Sequence, residues 1–123
     1  MVTTKKKWGN KGEQIVADML ERKGFLILKR NYQKPFGEID LIATNKELLL
    51  FVEVKLRRAR NIDLAELVGF SKQSRIGSAA RAYLSESKDC EKVYRFDVAL
   101  VDMTQGSPDV AYIADAFQIN EGY

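Results

Sequence analysis

The segment from Phe36 to Arg57, FGEIDLIATNKELLLFVEVKLR, constrains this chain more than any other. Two apolar runs joined by a short polar stretch predict a β-hairpin. Charges interrupt both runs: Glu38 and Asp40 in the first, Glu53 and Lys55 in the second. Alternate residues of a strand share a face, so each charged pair points one way while Ile39, Leu41, Val52 and Val54 point the other. With Asn45 and Lys46 as the turn, Glu38 lies across from Glu53, and Asp40 across from Phe51 with Glu53 on its diagonal. All four charged side chains then converge on one side, whereas a three-residue turn without a bulge would separate the pairs. A solvated face would account for the alternation alone, but Ile42, Leu49 and Phe51 occupy the same side. A half-buried face whose polar groups gather at one end describes a site.

The chain limits what such a site can do. Its 123 residues include no histidine and one cysteine, Cys90. That excludes Ser-His and Cys-His catalysis, an internal disulfide and multi-cysteine zinc sites, leaving carboxylates, lysine or tyrosine for acid-base and metal chemistry. Asp40 and Glu53 suit a hard divalent cation, Mg²⁺ or Mn²⁺. Lys55 is placed to orient or help deprotonate an attacking water, or to neutralise charge developing on a phosphate. Charge distribution agrees: residues 1–95 carry all 20 Lys and Arg and a net +8, residues 96–123 a net −5. A basic face suited to phosphates accounts for this, as would a solvated surface with uneven charge. Lys5, Lys6, Lys7, Arg57, Arg58, Arg60 and Arg75 are the expected nucleic-acid contacts.

Elsewhere the pattern predicts the order αβββαββ. Residues 1–9 read as a flexible basic arm, and 10–119 as a single domain. A helix is expected from Asn10 to about Lys23, with Ile15, Val16, Met19 and Leu20 as its buried stripe and Asn10 as its cap. Glu13 lies at the edge of that stripe, either completing a capping box or reaching a neighbouring site. A strand from Phe25 to Tyr32 and a turn over Gln33 to Pro35 precede the hairpin. Arg57 to Gly69 reads as an exposed connection, followed by a helix over Ser71 to Ser85 whose stripe is Ile76, Ala79, Ala80, Tyr83 and Leu84. Lys72 and Gln73 fall on its inward face. Strands over Phe96 to Asp102 and Asp109 to Phe117 close the chain. Arg95 and Asp97 are expected to form a structural ion pair, and Trp8 and Tyr94 to serve packing. The basic start lacks the apolar core of a signal peptide, and no apolar run approaches a membrane span, so a cytoplasmic protein with no membrane partner is expected.

Asp40 followed by Glu53-Val54-Lys55 resembles the PD-(D/E)xK signature of the restriction-endonuclease-like superfamily. More closely, the chain resembles the YraN-like uncharacterised bacterial proteins, through GNKGEQIVADMLERKGF, RNYQKPFGEIDLIA, LLFVEVKLR, the Lys72-Gln73 helix, RFDVALV and the closing DAF. The similarity spans Trp8 to Phe117. It implies an α/β/α sandwich with a mixed sheet and a Mg²⁺- or Mn²⁺-dependent endo- or exodeoxyribonuclease, with branched or single-stranded DNA as candidate substrates. Asp40 and Glu53 become metal ligands, Lys55 the catalytic lysine, and Glu13 the first-helix acid that supports the metal. Glu38, Gln73 and Lys72 match positions near the site. Ile39 stands where the superfamily's usual proline precedes the first aspartate. Alternative readings are a catalytically silent nucleic-acid-binding module and a protein-interaction domain of a DNA-processing assembly. DNA is favoured over RNA, and a homodimer would supply the two sites that cutting a duplex requires.

Overall fold

Val16, Ala17 and Leu20 lie on one stripe of the first helix, and each is at most 1% exposed. Burying such a stripe, at about 1.5–3 kcal/mol for each larger aliphatic side chain, holds the helix to a sheet. The computed structural model describes residues 4–57, 68–88 and 91–119, apart from the side chains of residues 4–9 and 57. The elements are α1 (Thr4–Arg22), β1 (Leu26–Lys34), β2 (Gly37–Thr44), β3 (Leu48–Arg57), α2 (Phe70–Glu86), β4 (Val93–Asp102) and β5 (Asp109–Phe117). The five strands form one sheet in the order of the chain. Neighbours run antiparallel except β3 and β4, which are parallel. A parallel step needs a long crossover, and α2 lies within it.

Among the described residues, the two helices cover opposite faces. Val16, Ala17 and Leu20 of α1 pack with Leu41, Ala43, Leu50, Val52, Ala99 and Val101. Ile76, Ala79, Ala80 and Tyr83 of α2 pack with Ile39, Ile42, Leu49, Phe51, Phe96 and Val98. This is the α/β architecture with a mixed sheet expected from the sequence, consistent with a restriction-endonuclease-like fold.

Helix α1 begins at Thr4, so Asn10 is internal to it and does not cap it; the basic segment expected as an arm is helical from Thr4. Lysine is a good helix former, and a helix anchored at Val16 propagates back through residues that do not break it. Gly24, with φ of 93°, ends the helix as expected.

The hairpin turn differs by one residue from expectation. The Asn45 side chain accepts hydrogen bonds from the amides of Glu47 and Leu48, which makes Asn45 the first residue of the turn and leaves Lys46 and Glu47 at its tip. Asn45 N then donates to Leu48 O. The register becomes Leu41 with Val52 and Ile42 with Phe51, two residues from the expected one. A shift of two preserves the faces, so Glu53 and Lys55 remain on the side of Phe51.

Candidate active site

The β2–β3 ladder stops at Leu41 and Val52, immediately before Asp40 and Glu53 would meet. On the other side of β2, pairing with β1 skips Asn31 and Asp40, and Asn31 has a left-handed φ of 51°. Asparagine tolerates this conformation better than most residues. Alternation breaks at the same place: Ile39 and Ile42 pack under α2, whereas Leu41 packs under α1. In the gap, Asp40 Oδ2 accepts the Val54 amide at 2.8 Å, replacing the missing ladder bond. The irregularity lets both helices supply side chains to one place, although they lie on opposite faces.

From β3, Glu53 extends the line of Leu49 and Phe51 and is 5% exposed. Lys72, in the first turn of α2, places Nζ 2.7 Å from Glu53 Oε1. Lys55 Nζ lies 3.7 Å from the same oxygen. From α1, Glu13 approaches Asp40 and Asn31, both of which favour its charged form. Glu13, Asp40, Glu53, Lys55 and Lys72 are therefore brought together.

Burial and acid-acid repulsion dominate the electrostatics. Desolvation, and then the charge of Glu53, push Asp40 up to about 7 despite the stabilising Val54 amide. Glu13 is raised too, by burial and then by Glu53. Burial and the adjacent Lys72 ammonium lower Lys55. Burial opposes the charge of Lys72 as well, but its hydrogen bonds to Glu53 and Lys55 outweigh that effect and hold it above the usual lysine range. Glu53 raises both lysines, whereas their mutual contact drives them in opposite directions.

Gly37 sets the spacing that makes this possible. A Cβ built there would lie 2.0 Å from the Arg75 carbonyl oxygen, so the start of β2 rests directly on the backbone of α2. Lys72 lies one turn before Arg75 and reaches Glu53 because the helix sits this low on the sheet.

Other expected residues lie elsewhere. Glu38 stays exposed and accepts a hydrogen bond from Gln33, so it does not join the cluster; the break in alternation at Asp40 is the reason. Gln73 donates to Val68 O and braces the entry to α2. Arg75 is exposed on α2. Arg58, Arg60 and the side chains of Lys5, Lys6, Lys7, Trp8 and Arg57 lie outside the described residues. Tyr94 packs against Phe51 and Phe96, as expected. Arg95 Nε lies 3.0 Å from Asp97 Oδ1, the expected ion pair. Two residues beside the cluster escaped the sequence reading: Asn31, and Arg30, whose charge partly offsets the rise of Glu13. The asparagine at the end of a basic strand was the available signal.

The model of the uncharacterised protein family UPF0102 matches residues 12–101, which include every member of the cluster. The chain belongs to that family. A UPF0102 protein of Dictyoglomus thermophilum is 41% identical over 117 residues, covering 91% of this chain and 98% of the relative. A UPF0102 protein of a Synechococcus strain is 41% identical over 120 residues, covering 94% and 92%. A third, from Desulfosudis oleivorans, is 38% identical over 121 residues, covering 98% and 97%. The UPF0102 match agrees with the YraN-like resemblance of the sequence.

Proposed function

We propose that this UPF0102 chain is a Mg²⁺- or Mn²⁺-dependent nuclease that hydrolyses phosphodiester bonds in DNA. One observation carries the reading: Asp40 and Glu53 meet where the β2–β3 ladder ends, with Lys55 and Lys72 on the same carboxylate. An acid pair in which burial, and then the charge of Glu53, push Asp40 up to about 7 is what a divalent cation would relieve.

The donor set fits such an ion. Among the described residues no three His, Cys, Asp or Glu side chains form a closed metal cage. Mg²⁺ keeps several waters and commonly takes one or two carboxylates together with phosphate oxygens, so Asp40 and Glu53 suffice, with Glu13 holding Asp40. When bound, the ion would acidify a water and polarise the phosphoryl oxygen.

The chain's own groups account for the rest. Lys55, lowered by burial and by Lys72, is the better placed of the two lysines to orient or deprotonate the attacking water. Lys72 keeps its charge and offsets the negative charge that grows on the phosphate. The Val54 amide fixes Asp40, and Asn31 and Asp40 together hold Glu13.

Incubation with branched, single-stranded and duplex DNA in Mg²⁺ and Mn²⁺ tests the reading. Wild type should cleave at least one class and leave 5′-phosphates, and Asp40→Asn, Glu53→Gln or Lys55→Ala should each lower the rate at least about 100-fold while the fold survives. Full activity in an Asp40→Asn/Glu53→Gln protein would refute it.

One observation favours a second reading. Lys72, 2.7 Å from Glu53, neutralises that carboxylate without a metal, as a silent DNA-binding module would require. Retention of DNA with no cleavage of any substrate in either metal would establish that alternative.

A further inference from the structure

The acidic centre has a cation at its rim on the α1 side. Arg30 pairs in the sheet with Leu41, next to Asp40, and precedes Asn31, which acts on Glu13 as Arg30 itself does. Arg30 is exposed, and its Nη1 donates to Gln14 Oε1 at 2.8 Å. Gln14 Nε2 in turn donates to Asp18 Oδ1 at 2.7 Å, so the amide is oriented with its oxygen toward the arginine. The guanidinium is thereby held beside Glu13 by a neutral carbonyl. Among the described residues no carboxylate forms an ion pair with it, although its charge is felt by Glu13, and the side chain is exposed with donors beyond the one given to Gln14.

This arrangement differs from the other cations around the cluster. Lys72 and Lys55 both lie against Glu53. A guanidinium oriented without being neutralised, at the edge of a group of acids, matches what a backbone phosphate needs when its neighbour occupies the centre. Its planar fork can engage two phosphate oxygens at once, and its charge offsets the repulsion between the polyanion and the three carboxylates.

We propose that Arg30 is a DNA-phosphate clamp, oriented by the Gln14–Asp18 relay, that seats the strand over the Asp40–Glu53 centre. The proposal rests on the nuclease reading and assigns a strand path across β1 and α1. Gln14 acts as a positioning residue, because its link to the phosphate runs through Arg30.

The test is fluorescence anisotropy with a fluorescein-labelled single-stranded oligodeoxynucleotide in Ca²⁺, over a range of salt, together with cleavage by wild type in Mn²⁺. Arg30→Gln should weaken binding about fivefold to tenfold and reduce the slope of log affinity against log salt by about 0.7–0.9, the loss of one phosphate contact. Arg30→Lys should keep the slope while losing part of the affinity. Gln14→Ala should also keep the slope, with a smaller loss of affinity. Arg30→Gln binding with the affinity and slope of wild type would overturn the clamp, and so would equal losses in Arg30→Gln and Gln14→Ala with an unchanged slope, which would mark a structural tie between β1 and α1. In either case, a wild type that binds and cleaves leaves the nuclease reading standing. A wild type that neither binds nor cleaves overturns both.

Discussion

Asp40 and Asp97 occupy similar faults in the sheet and have opposite surroundings. Each lies where pairing is interrupted, Asp40 at the end of the β2–β3 ladder and in a gap of the β1–β2 pairing, Asp97 at a register shift between β4 and β5, and each is close to a residue with left-handed φ: Asn31 near Asp40, and Asp115, at 53°, near Asp97. Each accepts a backbone amide in place of a strand partner, that of Val54 for Asp40 and that of Asp115 for Asp97. Asp97, 0% exposed, then collects Arg95 and the hydroxyl of Tyr112. Asp40 instead faces two further acids, Glu13 and Glu53, and is pushed up to about 7. The same backbone device is saturated with donors in one place and left with excess negative charge in the other. A satisfied buried carboxylate closes a structure; a crowded one has capacity left for a cation.

Removing each carboxylate should separate these roles. Asp97→Ala strands a guanidinium, a half-buried tyrosine hydroxyl and an amide, and should cost about 3–5 kcal/mol in urea denaturation. Close behind comes Gly37→Ala, where a methyl group 2.0 Å from the Arg75 carbonyl must lift α2 from β2. It should cost about 3 kcal/mol or more and carry Lys72 away from Glu53, so cleavage should fall further than the melting temperature alone would account for.

Asp40→Asn should act in the opposite sense on stability. A folded-state pKa of about 7, against the ordinary 3.8 of an aspartate, means that Asp40 holds more proton in the metal-free native state than in the unfolded chain between those limits. Stability of the metal-free protein therefore falls as pH rises from about 4 to about 7 and levels off above. The substitution should flatten that slope and stabilise the metal-free protein at pH 8 by about 2–4 kcal/mol. Unchanged pH dependence in Asp40→Asn would break the comparison. The smallest effect is expected of Tyr112→Phe, which removes one donor to Asp97 and should cost about 1.5 kcal/mol with cleavage intact.

Much of this was legible in the sequence because period reports burial. The stripe Ile76, Ala79, Ala80 and Tyr83 lies against the sheet as read. Asp40, Glu53 and Lys55 stood out because charges on apolar strands need partners. What remained hidden depends on tertiary contact or on backbone conformation. Asn45 looked like a central turn residue until its side chain was seen holding the Glu47 and Leu48 amides. Glu38 obeyed the alternation rule on paper, but the break at Asp40 turned Ile39 under α2 and left Glu38 outside. Neither the left-handed Asn31 nor the contact at Gly37 has a periodic signature, since each exists only once a second element is in place. Lys72 was visible as an inward polar residue, but its contact with Glu53 requires the low seat of α2 on β2.

Calorimetric titration of the metal-free protein with Mn²⁺ at pH 8 tests the central claim most directly, because it asks whether the crowded carboxylates take a cation while the saturated one does not. Binding should be present in wild type, retained in Tyr112→Phe, and lost in Asp40→Asn/Glu53→Gln. No binding heat in wild type across a range of temperatures, or undiminished binding in the double variant, would contradict the account.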